Sequence, residues 1–245
     1  MKLVFLGTAG YHPNELRHTT CLAIPEAGIV LDAGTGMFRL PKYLQTATID
    51  ILLSHAHLDH VVGLTYLLDI LHLHPLDEVR VHGEQDKLNS IRSHLFAPEL
   101  FPVEPPYIEK PLLPSQKIGL AEIRYFPLEH PGGSIGYRLE FPGRSIAFVT
   151  DTTASLDANY VEFISGADLL IHECNFADGW EELAKTTGHS CLTPVVEVAR
   201  KAKVGGLVLM HFNPLTPGFG QDEISTAEVR FGPIILAEDG MEMDF

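Results

Sequence analysis

Short apolar runs rich in β-branched residues alternate along the chain with stretches whose apolar positions recur at helical spacing. Branched and aromatic side chains suit a pleated, half-buried surface, so runs bounded by turn residues predict strands. A first series is expected at Leu3–Leu6, Cys21–Ile24, Ile29–Leu31, Ile49–Leu53 and Val79–His82. A second follows at Ile118–Phe126, Ile135–Phe141, Ser145–Val149, Leu169–Ile171 and Leu207–Met210. The helical pattern covers Val61–Leu73, Glu84–Leu95, Leu156–Ile164 and Leu192–Lys203. In the last of these Pro194 falls in the first turn, where proline is tolerated, and Val195, Val198 and Ala199 share one face.

The stretch from Ala97 to Pro114 carries Pro98, Pro102, Pro105, Pro106, Pro111 and Pro114. Proline removes a donor and fixes φ, so this density predicts a long extended loop rather than a helix or central strand. Such a loop is a candidate wall of a binding site, with Phe101 and Tyr107 placed to stack on a ring. Strands on either side of it have similar length and character. The expectation is therefore one α/β domain over residues 1–245, with helices covering partly antiparallel sheets.

With 245 residues, 45% hydrophobic and 20% charged, the composition is that of a folded domain with a sizeable core. The formal net charge of −15 argues against wrapping a long nucleic acid, which needs clustered Lys and Arg. A small anionic substrate held through bound cations remains compatible with it. Cys21, Cys174 and Cys191 stand far apart, which excludes a zinc ribbon and a disulfide framework and suits a reducing compartment. The opening MKLVFL run is too short for a signal-peptide core, and Val61–Leu73 is too short to span a bilayer. A cytoplasmic protein, with no membrane partner, is expected.

The chemistry concentrates in His55-Ala56-His57-Leu58-Asp59-His60, between the apolar strand Ile51-Leu52-Leu53 and the helix beginning near Val61. Leaving a strand, His55 and His57 point the same way and can share an ion. Asp59 and His60 fall where the backbone turns into the helix and aim elsewhere. Four candidate ligands in two orientations suit two ions better than one. Imidazole and carboxylate without thiolate suit zinc or manganese, with iron also accommodated. Two sites need further ligands, and a His or Asp just past the end of a buried strand can converge on the same sheet edge. His130, Asp151 and His211 meet that condition, each beside a turn signal.

The HAHLDH block followed by His130, Asp151 and His211 resembles the metallo-β-lactamase superfamily over nearly the whole chain. The early Gly7-Thr8-Ala9-Gly10 and Leu31-Asp32-Ala33-Gly34-Thr35-Gly36 segments are similar to that family's glycine-bearing loops. The resemblance implies an αββα sandwich in a single domain, with two divalent ions. It implies His55, His57 and His130 on one ion, Asp59, His60 and His211 on the other, and Asp151 bridging.

Gly188-His189-Ser190-Cys191 and His172-Glu173-Cys174-Asn175 resemble segments of the tRNase Z-like phosphodiesterase branch. Cys191 departs from that branch's threonine, and Cys174-Asn175 from its Ala-Thr. The resemblance implies catalytic roles for Asp59, His189 and Glu173. Independently, a departing alkoxide needs a proton, and a His at a helix start can supply it or bind the phosphate. Only 20 residues separate His130 from Asp151, filled by a hairpin turning at Pro142-Gly143. The tRNA-gripping arm of true tRNase Z enzymes has no room there. The expected substrate is thus a small or cyclic phosphodiester, as for the phosphoribosyl cyclic phosphodiesterases, which this chain resembles without their cysteine-rich zinc site. The expected attack uses a hydroxide shared by the two ions. The alternatives are lactone, thioester or carboxyl-ester hydrolysis at the same ions, and a non-catalytic metal-binding module. The sequence is also compatible with a homodimer.

Overall fold

A computed structural model describes residues 1–216 and 218–245. The chain divides into two compact units, Met1–Gly119 with Glu238–Phe245, and Leu120–Ala237. In the first unit the strands are β1 (Lys2–Gly7), β2 (Cys21–Ile24), β3 (Ile29–Leu31), β4 (Thr48–Leu52), β5 (Glu78–Gly83), β6 (Ile108–Pro111) and β7 (Ser115–Ile118). The second holds β8 (Ala121–Leu128), β9 (Ser134–Phe141), β10 (Arg144–Val149), β11 (Leu169–Glu173), β12 (Leu207–Met210) and β13 (Ile234–Leu236). The chain returns to the first unit in β14 (Glu242–Asp244).

The first unit's sheet runs β14-β1-β2-β3-β4-β5-β6. It is antiparallel from β14 to β3 and parallel from β3 to β6. Val4, Leu6, Val30, Ile49, Ile51 and Val81 face a core completed by Met37, Leu64, Leu67 and Ile70. The expected helix over Val61–Leu73 is broken: Leu58–Val61 is helical, Val62–Tyr66 tightens into 3-10 turns, and Leu67–Leu73 resumes. Gly63 allows this, since a Cβ there would meet the carbonyl oxygen of Gly34 at 2.4 Å.

The second unit orders its strands β13-β12-β11-β10-β9-β8, antiparallel from β8 to β10 and parallel from β10 to β13. The helix Leu192–Ala202 buries Val195, Val198, Ala199 and Ala202 against Leu170, Leu207 and Leu209. Each fully buried Val or Leu side chain contributes about 1.5–3 kcal/mol. The β9–β10 hairpin turns at Pro142-Gly143, as the sequence predicts.

Other expectations change as well, and the helix expected over Leu156–Ile164 is confined to Tyr160–Phe163. The strand expected over Ile118–Phe126 is two strands, because Gly119 at φ +55° turns the chain between β7 and β8. The proline-rich stretch is not all loop, since β6 pairs with β5 at the sheet edge, where a missing N–H is tolerated. Phe101 and Tyr107 are not free-standing rings: both pack on Phe96 at the core margin, with ring centroids 5.7 and 6.0 Å away. Among the described residues no helix is long and apolar enough to cross a membrane.

Candidate metal centre

In the first unit β4 delivers Ser54 and His55 to the end of the parallel strands. The Ser54 N–H and Oγ donate to the two Asp32 oxygens at 2.7 and 2.8 Å. With its one proton given to Asp32, Ser54 Oγ must accept at the 2.9 Å approach of His55 Nδ1. His60 Nδ1 likewise donates to Asp32 Oδ2, at 2.8 Å. Both imidazoles therefore carry their proton on Nδ1 and present the Nε2 lone pair. That orientation, imposed through a buried carboxylate, is what metal-ligating histidines receive from their surroundings. The rings of His57 and His60 lie 4.4 and 4.3 Å from that of His55. Asp59 Oδ2 stands 3.3 Å from His60 Nε2 and accepts the Tyr11 N–H at 2.8 Å.

Asp32 is fully buried at φ +56°. Its loop sits tight on the ligand loop, with Ala33 N–H donating to the His60 carbonyl at 2.8 Å. A Cβ at Gly34 would come within 2.3 Å of the Asp59 carbonyl oxygen, so glycine is required for that approach. Sequence reasoning takes this segment as a family signature and misses Asp32 as a partner of His55 and His60. The signal is present, because Asp32 follows the buried strand β3 just as Asp151 follows β10.

In the second unit Asp151, at φ +47°, and His211, at φ +56°, follow β10 and β12 and are almost completely buried. Left-handed backbone at non-glycine residues marks positions held by their surroundings. Asp151 Oδ1 lies 3.1 Å from His211 Nε2, and Oδ2 lies 3.5 Å from His130 Nε2. His130 Nδ1 donates to the Gly188 carbonyl at 2.9 Å, which leaves its Nε2 with a lone pair. The Asn175 amide donates to the His211 carbonyl at 3.1 Å and sits against the ring's Nδ1 side.

His189 stands with its ring 5.2 Å from those of both His130 and His211. Its Nδ1 is 3.3 Å from Glu173 Oε1. Glu173 ends β11, has no exposed surface, and also accepts the backbone N–H groups of Thr152 and Asn175 at 3.1 Å each. Glu173, His189 and His211 each bring a ligand atom within 4.8 Å of the others. The sequence places His189 at a helix start beside open N–H groups. Instead its own N–H donates to the Ala184 carbonyl at 2.8 Å, ending the preceding helix Glu181–Thr187, and Cys191 caps Leu192–Ala202. Ser190 braces the turn after Asp151, donating to the Thr152 carbonyl at 2.6 Å and accepting the Ala154 N–H at 2.9 Å. Beside Asn175 a cavity of about 380 Å³ is lined by Phe176, Trp180, Leu183, Phe212 and Phe219.

Other polar side chains make structural contacts. Arg17 donates to Thr8 Oγ1 at 2.6 Å, and His82 pairs with Asp50 at 2.7 Å. His172 is buried under Tyr160, whose hydroxyl lies 2.9 Å from its Nε2.

The donor set fits a divalent ion. His60 Nε2 and His130 Nε2 each turn a lone pair toward a carboxylate oxygen, at 3.3 and 3.5 Å. Such an opposition is relieved when one cation is coordinated by both partners. The ligand atoms are all nitrogen and oxygen, which suits zinc, manganese or iron.

Residues 28–212 match the family model of the β-lactamase superfamily domain. The chain is 26% identical to the ribonuclease Z of Haloarcula marismortui over 300 aligned positions, covering 99% of this chain and 96% of that one. Ribonuclease Z of Synechococcus sp. is 40% identical over 112 positions, 43% of this chain and 34% of the relative. Among solved structures, the metallo-β-lactamase fold protein YhfI of Bacillus subtilis superposes with a TM-score of 0.82 at 19% identity, over 99% of both chains. Human tRNase Z, short form, gives 0.77 at 24% identity, over 100% of this chain and 99% of that one. A diphosphatase of the PhnP family gives 0.74 at 18%, over 100% and 97%.

Proposed function

This chain belongs to the metallo-β-lactamase superfamily, and from that membership we propose that it is a metal-dependent hydrolase acting on a small phosphodiester. In this reading the two units form one hydrolase domain. His55, His57 and His130 hold one divalent ion, Asp59, His60 and His211 hold a second, and Asp151 contributes to both. Two such ions, when bound, activate water and neutralise charge developing at phosphorus.

The observation that carries the phosphodiesterase reading is His189, held by buried Glu173 and flanked by the rings of His130 and His211. Carboxyl-ester cleavage also expels an alkoxide, but only after a tetrahedral intermediate has formed; at a phosphodiester the P–O bond breaks as the nucleophile enters, so the leaving oxygen needs its proton in the same step. His189 carries a proton on Nδ1 against Glu173 and turns the rest of its ring toward the ligands. Its Nε2 can hold and give up a second proton, a contribution of roughly 10²–10⁴-fold where it operates. Glu173 is enclosed by three donors, so its part is to orient His189 rather than to touch substrate.

The short β9–β10 hairpin supports a small substrate. The 300-position alignment to the Haloarcula ribonuclease Z exceeds the 245 residues here, so that relative carries stretches with no counterpart in this chain. The test is hydrolysis of bis(p-nitrophenyl) phosphate by protein loaded with manganese or zinc. Chelator-sensitive turnover that exceeds turnover of lactones and thioesters, and of RNA with a 3′ extension, is expected. Preference for a lactone would transfer the site to ester chemistry, and preference for the RNA would restore end processing.

A further inference from the structure

Tyr11 sits at the centre of a three-residue turn closed by the His12 N–H on the Gly10 carbonyl at 2.8 Å. Its φ is +61°, and the residue is 76% exposed. Left-handed backbone is unfavourable for a bulky L-residue, and turns of this kind are rare and strained. The turn aims the Tyr11 N–H at Asp59 Oδ2, 2.8 Å away, which accounts for the backbone. It does not account for the side chain, because glycine would supply the same N–H without strain.

The surrounding loop is tied down on all sides. Ala9 N–H donates to the His18 carbonyl at 2.8 Å, and Asn14 Oδ1 accepts the N–H groups of Leu16 and Arg17 at 2.9 Å. Asp239 accepts from Thr8 Oγ1 and from the His18 N–H at 2.7 Å each. The ring of Tyr11 is thus an aromatic surface on a rigid mount, open to solvent, one hydrogen bond from Asp59.

We propose that Tyr11 is a specificity-determining residue on which a planar ring of the substrate, a nucleobase or its equivalent, stacks while the phosphodiester lies at the Asp59 side. The inference rests on the proposed phosphodiesterase reading. A rigid exposed ring stacks on a base with little ordering cost, and removal of such a platform weakens binding by about tenfold or more. With 32 acidic against 17 basic side chains the net field does not favour a nucleotide, so a stacking surface is a suitable source of selectivity for the ester arm.

The test compares two diesters with the same leaving group, the p-nitrophenyl esters of thymidine monophosphate and of methyl phosphate. Tyr11→Gly keeps the N–H and the positive φ but removes the ring. It is expected to raise KM for the thymidine ester about tenfold, to leave KM for the methyl ester and the metal content unchanged, and Tyr11→Phe should restore the wild-type ratio. Calorimetry on metal-loaded protein gives a reading independent of turnover. Thymidine monophosphate should bind the glycine variant about tenfold more weakly than wild type, and inorganic phosphate equally. Equal effects on both ligands, or none, overturn the assignment. Wild-type protein that cleaves neither ester overturns the phosphodiesterase reading instead, and the binding measurement still decides Tyr11.

Discussion

Asp32 and His60 are joined by a 2.8 Å hydrogen bond between two completely buried side chains. The same carboxylate takes both donors of Ser54, and Ser54 in turn orients His55. One aspartate therefore fixes the tautomer and aim of two histidines without being positioned as a ligand itself. Asp32→Asn keeps the shape but replaces one acceptor by an NH₂ group that faces a donor. Metal affinity should fall about 10–100-fold, measured as metal retained against a graded chelator. Undiminished affinity would mean that the histidines are positioned by their packing alone.

His189→Ala should leave metal content close to wild type while lowering turnover of a diester with an alkyl leaving group by roughly 10²–10⁴-fold, and turnover of a p-nitrophenyl diester far less, because that anion leaves without a proton. Glu173→Gln should lose less, because a glutamine oxygen can still accept from His189 Nδ1 at the position now 3.3 Å away. Equal losses in the two variants would instead give Glu173 a direct part in the reaction.

Gly188 is at φ +75°, and a Cβ there would meet Pro131 Cδ at 2.3 Å and His130 Nδ1 at 2.8 Å. Its carbonyl is the acceptor that sets the His130 tautomer. Gly188→Ala should cost about 1–2 kcal/mol from backbone conformation alone, with the clash added to it. Chemical denaturation of the metal-free protein reads this directly. The same variant should bind metal more weakly because His130 is displaced.

His172 is buried with its Nε2 against the Tyr160 hydroxyl and its Nδ1 on the Glu173 carbonyl at 2.6 Å. Burial holds its pKa below the ordinary 6.5, although the neighbouring Glu173 charge opposes that shift. The unfolded chain thus binds a proton that the folded chain refuses. This contribution to stability is complete above pH 6.5 and is lost as pH falls from there toward the lowered value. Unfolding free energy measured across that window should fall less steeply in His172→Gln than in wild type. Parallel slopes would show that other groups set the acid limb.

The strands β10 and β12 are legible as continuous buried apolar runs, and the end of β4 as the run Ile51-Leu52-Leu53; the polar residues just past such a run stand out. His55, Asp151 and His211 are found in that way, and Asp32 passes the same test after β3. The helix over Val61–Leu73 is legible as apolar spacing but not as a broken helix. Its interruption comes from the close approach of Gly63 to Gly34, two residues far apart in sequence. β6 is hidden because its proline, Pro111, is forbidden only in the interior of a sheet, and edge position is not written in local sequence.

Local residue types determined which side chains could bind metal and which strand ends would carry them, since that follows from period and burial. Tertiary structure alone decided which nitrogen of His55, His60 and His130 points outward, because that depends on Asp32, Ser54 and the Gly188 carbonyl. It also decided that Glu173 lies beneath His189. Sequence separates those two residues by a whole helix, and only the return of the chain from β11 through Glu181–Thr187 brings carboxylate and imidazole to 3.3 Å. Spacing along a chain limits what can meet; the hydrogen bonds of the folded backbone select what does.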